Sequence, residues 1–215
     1  MKKKRENRNW IAIFSSLILI LLGIAVIGGK YLYIKISELE SDIKIEEYFQ
    51  DSTIVDTDEQ EEVSEQVVEN KEKNNNKIKT NEKYIAVLEI PKIKFKKGIY
   101  SKKSKLNNVN KNIYLLKESD MPDKDKGNFI IAGHSGNSYF SYFKNLPNLS
   151  IGNKAYVYYN ERRYEYKLVN IYEILKTGTA TIIRNNEKTT MTLITCKPKT
   201  NKQLVFIFEL MKDGE

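Results

Sequence analysis

The chain predicts a mostly-β domain of about eight strands, a sandwich or a closed barrel, carried behind a single N-terminal apolar helix. Three observations carry that expectation. From Tyr84 onward, short apolar and β-branched runs alternate with turn signals and leave little room for long helices. Ahead of them, Trp10 opens and Gly29 closes a run of twenty residues (10–29) without a charge, preceded by Lys2, Lys3, Lys4, Arg5 and Arg8. Between these two regions the charge changes sign: residues 1–30 carry a net +5, 31–80 a net −8 and 81–215 a net +11, so the total of +8 conceals three different segments.

Residues 1–9 are expected to form a cytoplasmic basic tail and 10–29 a single transmembrane anchor. At about 1.5 Å per residue the uncharged run spans about 30 Å, the thickness of a hydrocarbon core. Five basic residues and one acid precede it, which holds the N-terminus in the cytoplasm and leaves the chain after Lys30 on the outer side of the cell membrane. A cleaved signal peptide is the competing reading, but the run exceeds a usual signal core and residues 24–30 lack a small-x-small cleavage site.

Residues 30–80 read as an extracellular stalk and flexible acidic linker. Tyr31 and Tyr33 suit the outer membrane interface, and Ile34, Ile36, Leu39, Ile43 and Ile45 fit either a short amphipathic helix or a partly ordered stalk. From 51 to 81 the chain is rich in Glu, Asn and Lys and holds too few apolar side chains to bury a core, which predicts a tether.

Residues 81–215 form the expected domain. Strands are predicted at 84–90, where Pro91 stops the run, around Ile93 and Phe95 before Gly98, and at 128–132, 155–159, 164–172, 189–195 and 203–210. Residues 102–112 are polar and read as a loop or short helix. The spacing of Phe140, Phe143, Leu146 and Leu149 predicts a helical turn, and residues 160–163 a hairpin connection.

Composition narrows the function. A pI near 9.2 invites nucleic acid, yet the lysines are scattered between strand-like runs with no nucleic-acid-binding motif, and a basic face suits an anionic cell envelope instead. One cysteine excludes a disulfide-stapled fold. Asp120, Asp123 and Asp125 lack the remaining ligands of a calcium loop, so neither metal nor cofactor is expected.

Two residues carry the chemistry. Cys196, the only cysteine, ends the run 190–195, and His134, the only histidine, ends the run 128–133. Two strands can thus deliver a nucleophile and a proton carrier to one rim, enough for acyl transfer. Read singly, each has a bland alternative, a buried structural thiol or a structural histidine. Gly133 and Gly136 beside His134 suggest backbone close to a groove.

Thr192-Leu193-Ile194-Thr195-Cys196 resembles the TLxTC signature of the sortases, and Ile131-Ala132-Gly133-His134-Ser135 resembles their histidine segment, with the cysteine 62 residues further on. The similarity covers roughly residues 84–210. It implies an eight-stranded sortase-like β-barrel with short helices, and a membrane-anchored Gram-positive cysteine transpeptidase. A class A/D-like enzyme is expected rather than a pilin-polymerising one, since the chain has neither a second transmembrane segment at its C-terminus nor an Asp-Pro-aromatic lid motif. In that family Cys196 would attack an LPxTG-like sorting peptide, His134 would shuttle the proton, and the thioester would pass to a cell-wall amine of the lipid II peptidoglycan precursor.

One position departs from the pattern. Sortases carry an arginine on the strand after the cysteine, where this chain reads Asn201-Lys202-Gln203-Leu204-Val205. Gln203, by position, and Arg184, from the segment leading into the cysteine strand, are the candidates for stabilising the oxyanion or orienting the peptide. Two rival functions arise: a catalytically impaired scaffold that binds sorting signals, and a cell-wall cysteine peptidase of the NlpC/P60 kind. The latter places cysteine before histidine, so the order here counts against it.

Overall fold

The computed structural model describes residues 2–51 and 82–211, so the acidic linker at 52–81 lies outside the described residues. The chain divides into two units, residues 1–43 and 44–215.

Helix α1 (Lys2–Asp51) contains the apolar run and continues beyond it, so the stretch read as a stalk is helical to Asp51. From Phe14 it is long and apolar enough to cross a membrane, with none of the apolar window buried. Its last two turns, from Lys44, belong to the second unit. There Ile45, Tyr48 and Phe49, spaced at three and four residues, fall on one face and cover Tyr84, Val87, Tyr100 and Tyr158. Phe49 stands edge-on to Tyr158 with ring centroids 4.9 Å apart, and the Tyr48 hydroxyl donates to the Tyr158 carbonyl at 3.1 Å. Burial at this contact pushes the Tyr48 phenol up to about 12.

The second unit is an eight-stranded, nearly closed barrel. Its strands are β1 (Ala86–Ile90), β2 (Phe95–Ile99), β3 (Tyr114–Leu115), β4 (Asn128–Gly133), β5 (Lys154–Tyr159), β6 (Arg162–Leu175), β7 (Thr190–Lys197) and β8 (Lys202–Leu210). They lie in the order β2-β1-β5-β6-β8-β7-β4-β3. Every pairing is antiparallel except β4 with β7. Alternate residues fill the interior: Leu88, Ile90, Phe129, Ile131, Tyr166, Leu168, Met191, Leu193, Phe206 and Phe208 are all buried in one cluster. Each such side chain contributes roughly 1.5–3 kcal/mol on leaving water.

Three local expectations change. Pro91–Ile93 is a single 3-10 turn, and β2 starts only after Lys94 turns the chain at φ 50°. The β5–β6 connection needs just Asn160 and Glu161, both at positive φ (48° and 59°), as in a type I′ hairpin whose twist matches the strands. Arg162 and Arg163 already pair with Tyr159 and Tyr158. Residues 139–149 are turns ending in a 3-10 segment, Leu146–Asn148, because Pro147 has no N–H to continue a helix.

Candidate active site

The parallel ladder of β4 and β7 builds the site. Its final pair is Gly133 with Thr195, so the next residue on each chain, His134 and Cys196, emerges at the same end of neighbouring strands. Side-chain and backbone bonds lock this junction. Thr195 Oγ1 donates to the Gly133 carbonyl at 2.8 Å, Ser135 Oγ donates to the Cys196 carbonyl, and the Phe143 N–H donates to the His134 carbonyl at 2.9 Å. Ser135 is buried, while His134 and Cys196 are half-exposed.

Alternation sets the direction of the thiol. Met191 and Leu193 point into the barrel, so Thr192, Ile194 and Cys196 leave β7 on the other face. Phe129 and Ile131 do the same on β4 and put Ile130 and Ala132 beside that face, with Ala132 in register with Ile194. Gly133 has a packing role. A Cβ built there would lie 2.8 Å from Phe143 Cδ2, so only glycine lets the Phe143 ring close beneath the histidine.

The imidazole has a partner that sequence reading missed. His134 Nε2 lies 3.1 Å from Asn110 Oδ1, in the polar stretch between β2 and β3. Three further asparagines nearby, Asn107, Asn108 and Asn112, were the available signal, and nothing local distinguished one from another.

Gln203 is the direct cross-strand partner of Cys196 on the antiparallel β7–β8 ladder, so the two side chains share a face. Arg184 does not come to this rim. Its guanidinium donates to the carbonyls of Asn185, Lys188 and Lys126 at 3.3, 3.1 and 3.1 Å. Those carbonyls precede the first residues of β7 and β4, whereas Cys196 and His134 stand at the other ends of the same strands.

Beside the rim, Glu173 accepts hydrogen bonds from Lys197 and, at 2.8 Å, from Lys202. The two bonds, Lys197's first, lower the Glu173 carboxyl to about 2. Both lysines are therefore engaged next to the thiol strand. Among the described residues no group of three or more His, Cys, Asp or Glu side chains is placed to hold a metal ion. Asp120, one of the acids weighed as a calcium ligand, instead accepts from the Asn128 N–H at 3.0 Å.

Comparison with known proteins adds three findings. The family model of the sortase domain matches residues 88–210. Sortase A of Bacillus anthracis is 34% identical over 71 residues, 33% of this chain and 33% of that protein, so the match spans about a third of the relative's length. Among solved structures, a Clostridium perfringens sortase D5 transpeptidase superposes with a TM-score of 0.52 at 25% identity, covering 60% of this chain and 80% of that one. A lid mutant of sortase A from Corynebacterium diphtheriae gives 0.55 at 23% identity, over 62% and 73% of the respective chains, a likeness of fold.

Proposed function

The chain belongs to the sortase family, and from that premise we propose that it is a cysteine transpeptidase, anchored by α1, that moves an LPxTG-like sorting peptide onto a cell-wall amine. What supports this is the β4–β7 register: the last pair of the parallel ladder, Gly133 with Thr195, is followed on one side by the chain's sole imidazole and on the other by its sole thiol.

The steps are set by the two groups. As Cys196 Sγ bonds to the Thr carbonyl carbon, its proton passes to His134. His134 hands that proton to the glycine nitrogen as the Thr–Gly bond breaks, leaving a thioester. The acceptor amine then forms the new C–N bond, and its proton returns through His134 to the departing sulfur. Gln203, opposite Cys196, would aim an amide N–H at the oxyanion of each tetrahedral intermediate. We assign the chain to the class A/D-like group because its sequence has no Asp-Pro-aromatic lid motif.

An anchor with a cytoplasmic N-terminus would confine the domain beside exported substrates and lipid-linked acceptors such as lipid II, raising effective concentration without new contacts. One observation favours a second reading, a peptide-binding scaffold: the residue opposite Cys196 is the neutral amide Gln203, where the resemblance would lead one to expect an arginine.

Full-length protein in detergent, given an LPxTG-type peptide and hydroxylamine, should release a peptide hydroxamate. Turnover retained by Cys196→Ala would end the transpeptidase reading. Peptide binding by the parent protein without turnover would favour the scaffold.

A further inference from the structure

The loop between β2 and β3 is built by four asparagines with separate tasks. Asn107, buried, spends its whole amide on one residue: Oδ1 accepts from the Leu115 N–H at 2.7 Å and Nδ2 donates to the Leu115 carbonyl at 2.9 Å, which pins β3. Asn108 turns the chain, its Oδ1 accepting from the Asn110 N–H at 2.9 Å and its carbonyl from the N–H groups of Lys111 and Asn112 at 2.9 and 2.8 Å. Asn112, also buried, donates to the Gly98 carbonyl on β2 at 2.8 Å. With both flanks anchored, Asn110 is held at the tip with its side-chain oxygen 3.1 Å from His134 Nε2.

That contact has a chemical consequence. An amide oxygen carries no proton, so the ring nitrogen facing it must be an N–H. The neutral imidazole is then the Nε2–H tautomer, and Nδ1 holds the lone pair that takes and returns protons. When the imidazolium forms, Nε2–H keeps the same acceptor, and the ring does not turn. We propose that Asn110 is a positioning residue for the transfer reaction, selecting the tautomer of His134 and fixing its ring through each half-reaction. This rests on the assignment of His134 as the proton carrier of Cys196. An amide suits the task better than a carboxylate, because it orients the ring without adding a charge that would hold the proton back.

His134 is the only histidine, so nitrogen-15 histidine labelling of the full-length protein yields one imidazole, read without assignment. The parent should show the Nε2–H tautomer. Asn110→Ala should show a mixture of tautomers and lower kcat about tenfold or more, part of the roughly 10²–10⁴ that a proton carrier supplies, with KM little changed. Asn110→Asp should recover the single tautomer and most of the rate, and move the histidine-governed limb of the pH–rate profile upward, since an adjacent carboxylate favours imidazolium. Parental kcat in Asn110→Ala, or a tautomer unchanged by it, overturns the proposal. Turnover surviving in His134→Ala and Cys196→Ala would instead remove the transpeptidase reading. The tautomer measured in the Cys196→Ala background still decides whether Asn110 orients the ring.

Discussion

Cys196 and Gln203 stand opposite each other across the antiparallel ladder of β7 and β8, and their side chains leave the sheet on one face. Few residues separate the two strands, so a neutral amide is set directly opposite the thiol. Replacing Gln203 by Ala is expected to lower kcat/KM by at least about tenfold, roughly 1.4 kcal/mol. Gln203→Arg should keep or raise it. A parental rate for Gln203→Ala would remove Gln203 from the reaction.

Arg184 gives the matching control. Its three carbonyl contacts tie the β6–β7 loop to the far ends of β4 and β7. Arg184→Ala should leave kcat/KM within about twofold while costing roughly 1 kcal/mol of stability, because two of these hydrogen bonds are exposed and the third is only partly buried. Collapse of activity at an unchanged Tm would transfer the donor role to Arg184.

Gly133 couples packing to chemistry. A methyl group there meets the Phe143 ring at 2.8 Å, and the Phe143 N–H holds the carbonyl of His134 at 2.9 Å. Gly133→Ala should cost about 1–3 kcal/mol by overpacking and depress kcat more than KM. Adding Phe143→Leu should recover part of both losses, and strictly additive effects would show that the two sites are uncoupled.

The last turns of α1 predict where the folded domain begins. Thermal unfolding of residues 52–215 should occur below that of residues 44–215, because Tyr84, Val87, Tyr100 and Tyr158 lose the cover of Ile45, Tyr48 and Phe49. Phe49→Ala alone should cost about 1–2 kcal/mol, from partial burial and the edge-on contact with Tyr158. Identical Tm values for the two fragments would refute this boundary.

Glu173 should leave a signature in acid. Its carboxyl is lowered to about 2 by Lys197 and then Lys202, so the folded state keeps it charged where the unfolded chain protonates it. The contribution is complete above about pH 4, the ordinary carboxylate range, and is lost as pH falls through about 2. Glu173→Gln should flatten the pH dependence of urea unfolding in that window. The same slope in parent and variant would show that the lysine contacts do not persist in solution.

Most strands were legible in the sequence, since a half-buried strand must alternate and a buried one must be β-branched or aromatic. This applies to β1, β4, β5, β6, β7 and β8. Strand β3 was not, because two residues show no period, and its pairing depends on Asn107 reaching Leu115 from eight residues away. The helical turn expected within 139–149 is confined to the 3-10 segment Leu146–Asn148: apolar residues spaced by three report one buried side, which turns carrying Phe143, Leu146 and Leu149 into the core satisfy equally well.

The candidates were named by sequence alone, because a chain with one thiol and one imidazole offers one choice of each residue type. Their adjacency was decided by tertiary structure. His134 comes to the same rim as Cys196 only because β4 and β7 run parallel through a long crossover, and a parallel pairing leaves no local pattern that names its partner or register. Asn110 and Arg184 show the same division. One polar residue among several faces the imidazole, and one cation among many turns to the opposite end of the barrel, because the folded backbone, not residue type, sets which carbonyls and ring nitrogens lie within 3.5 Å.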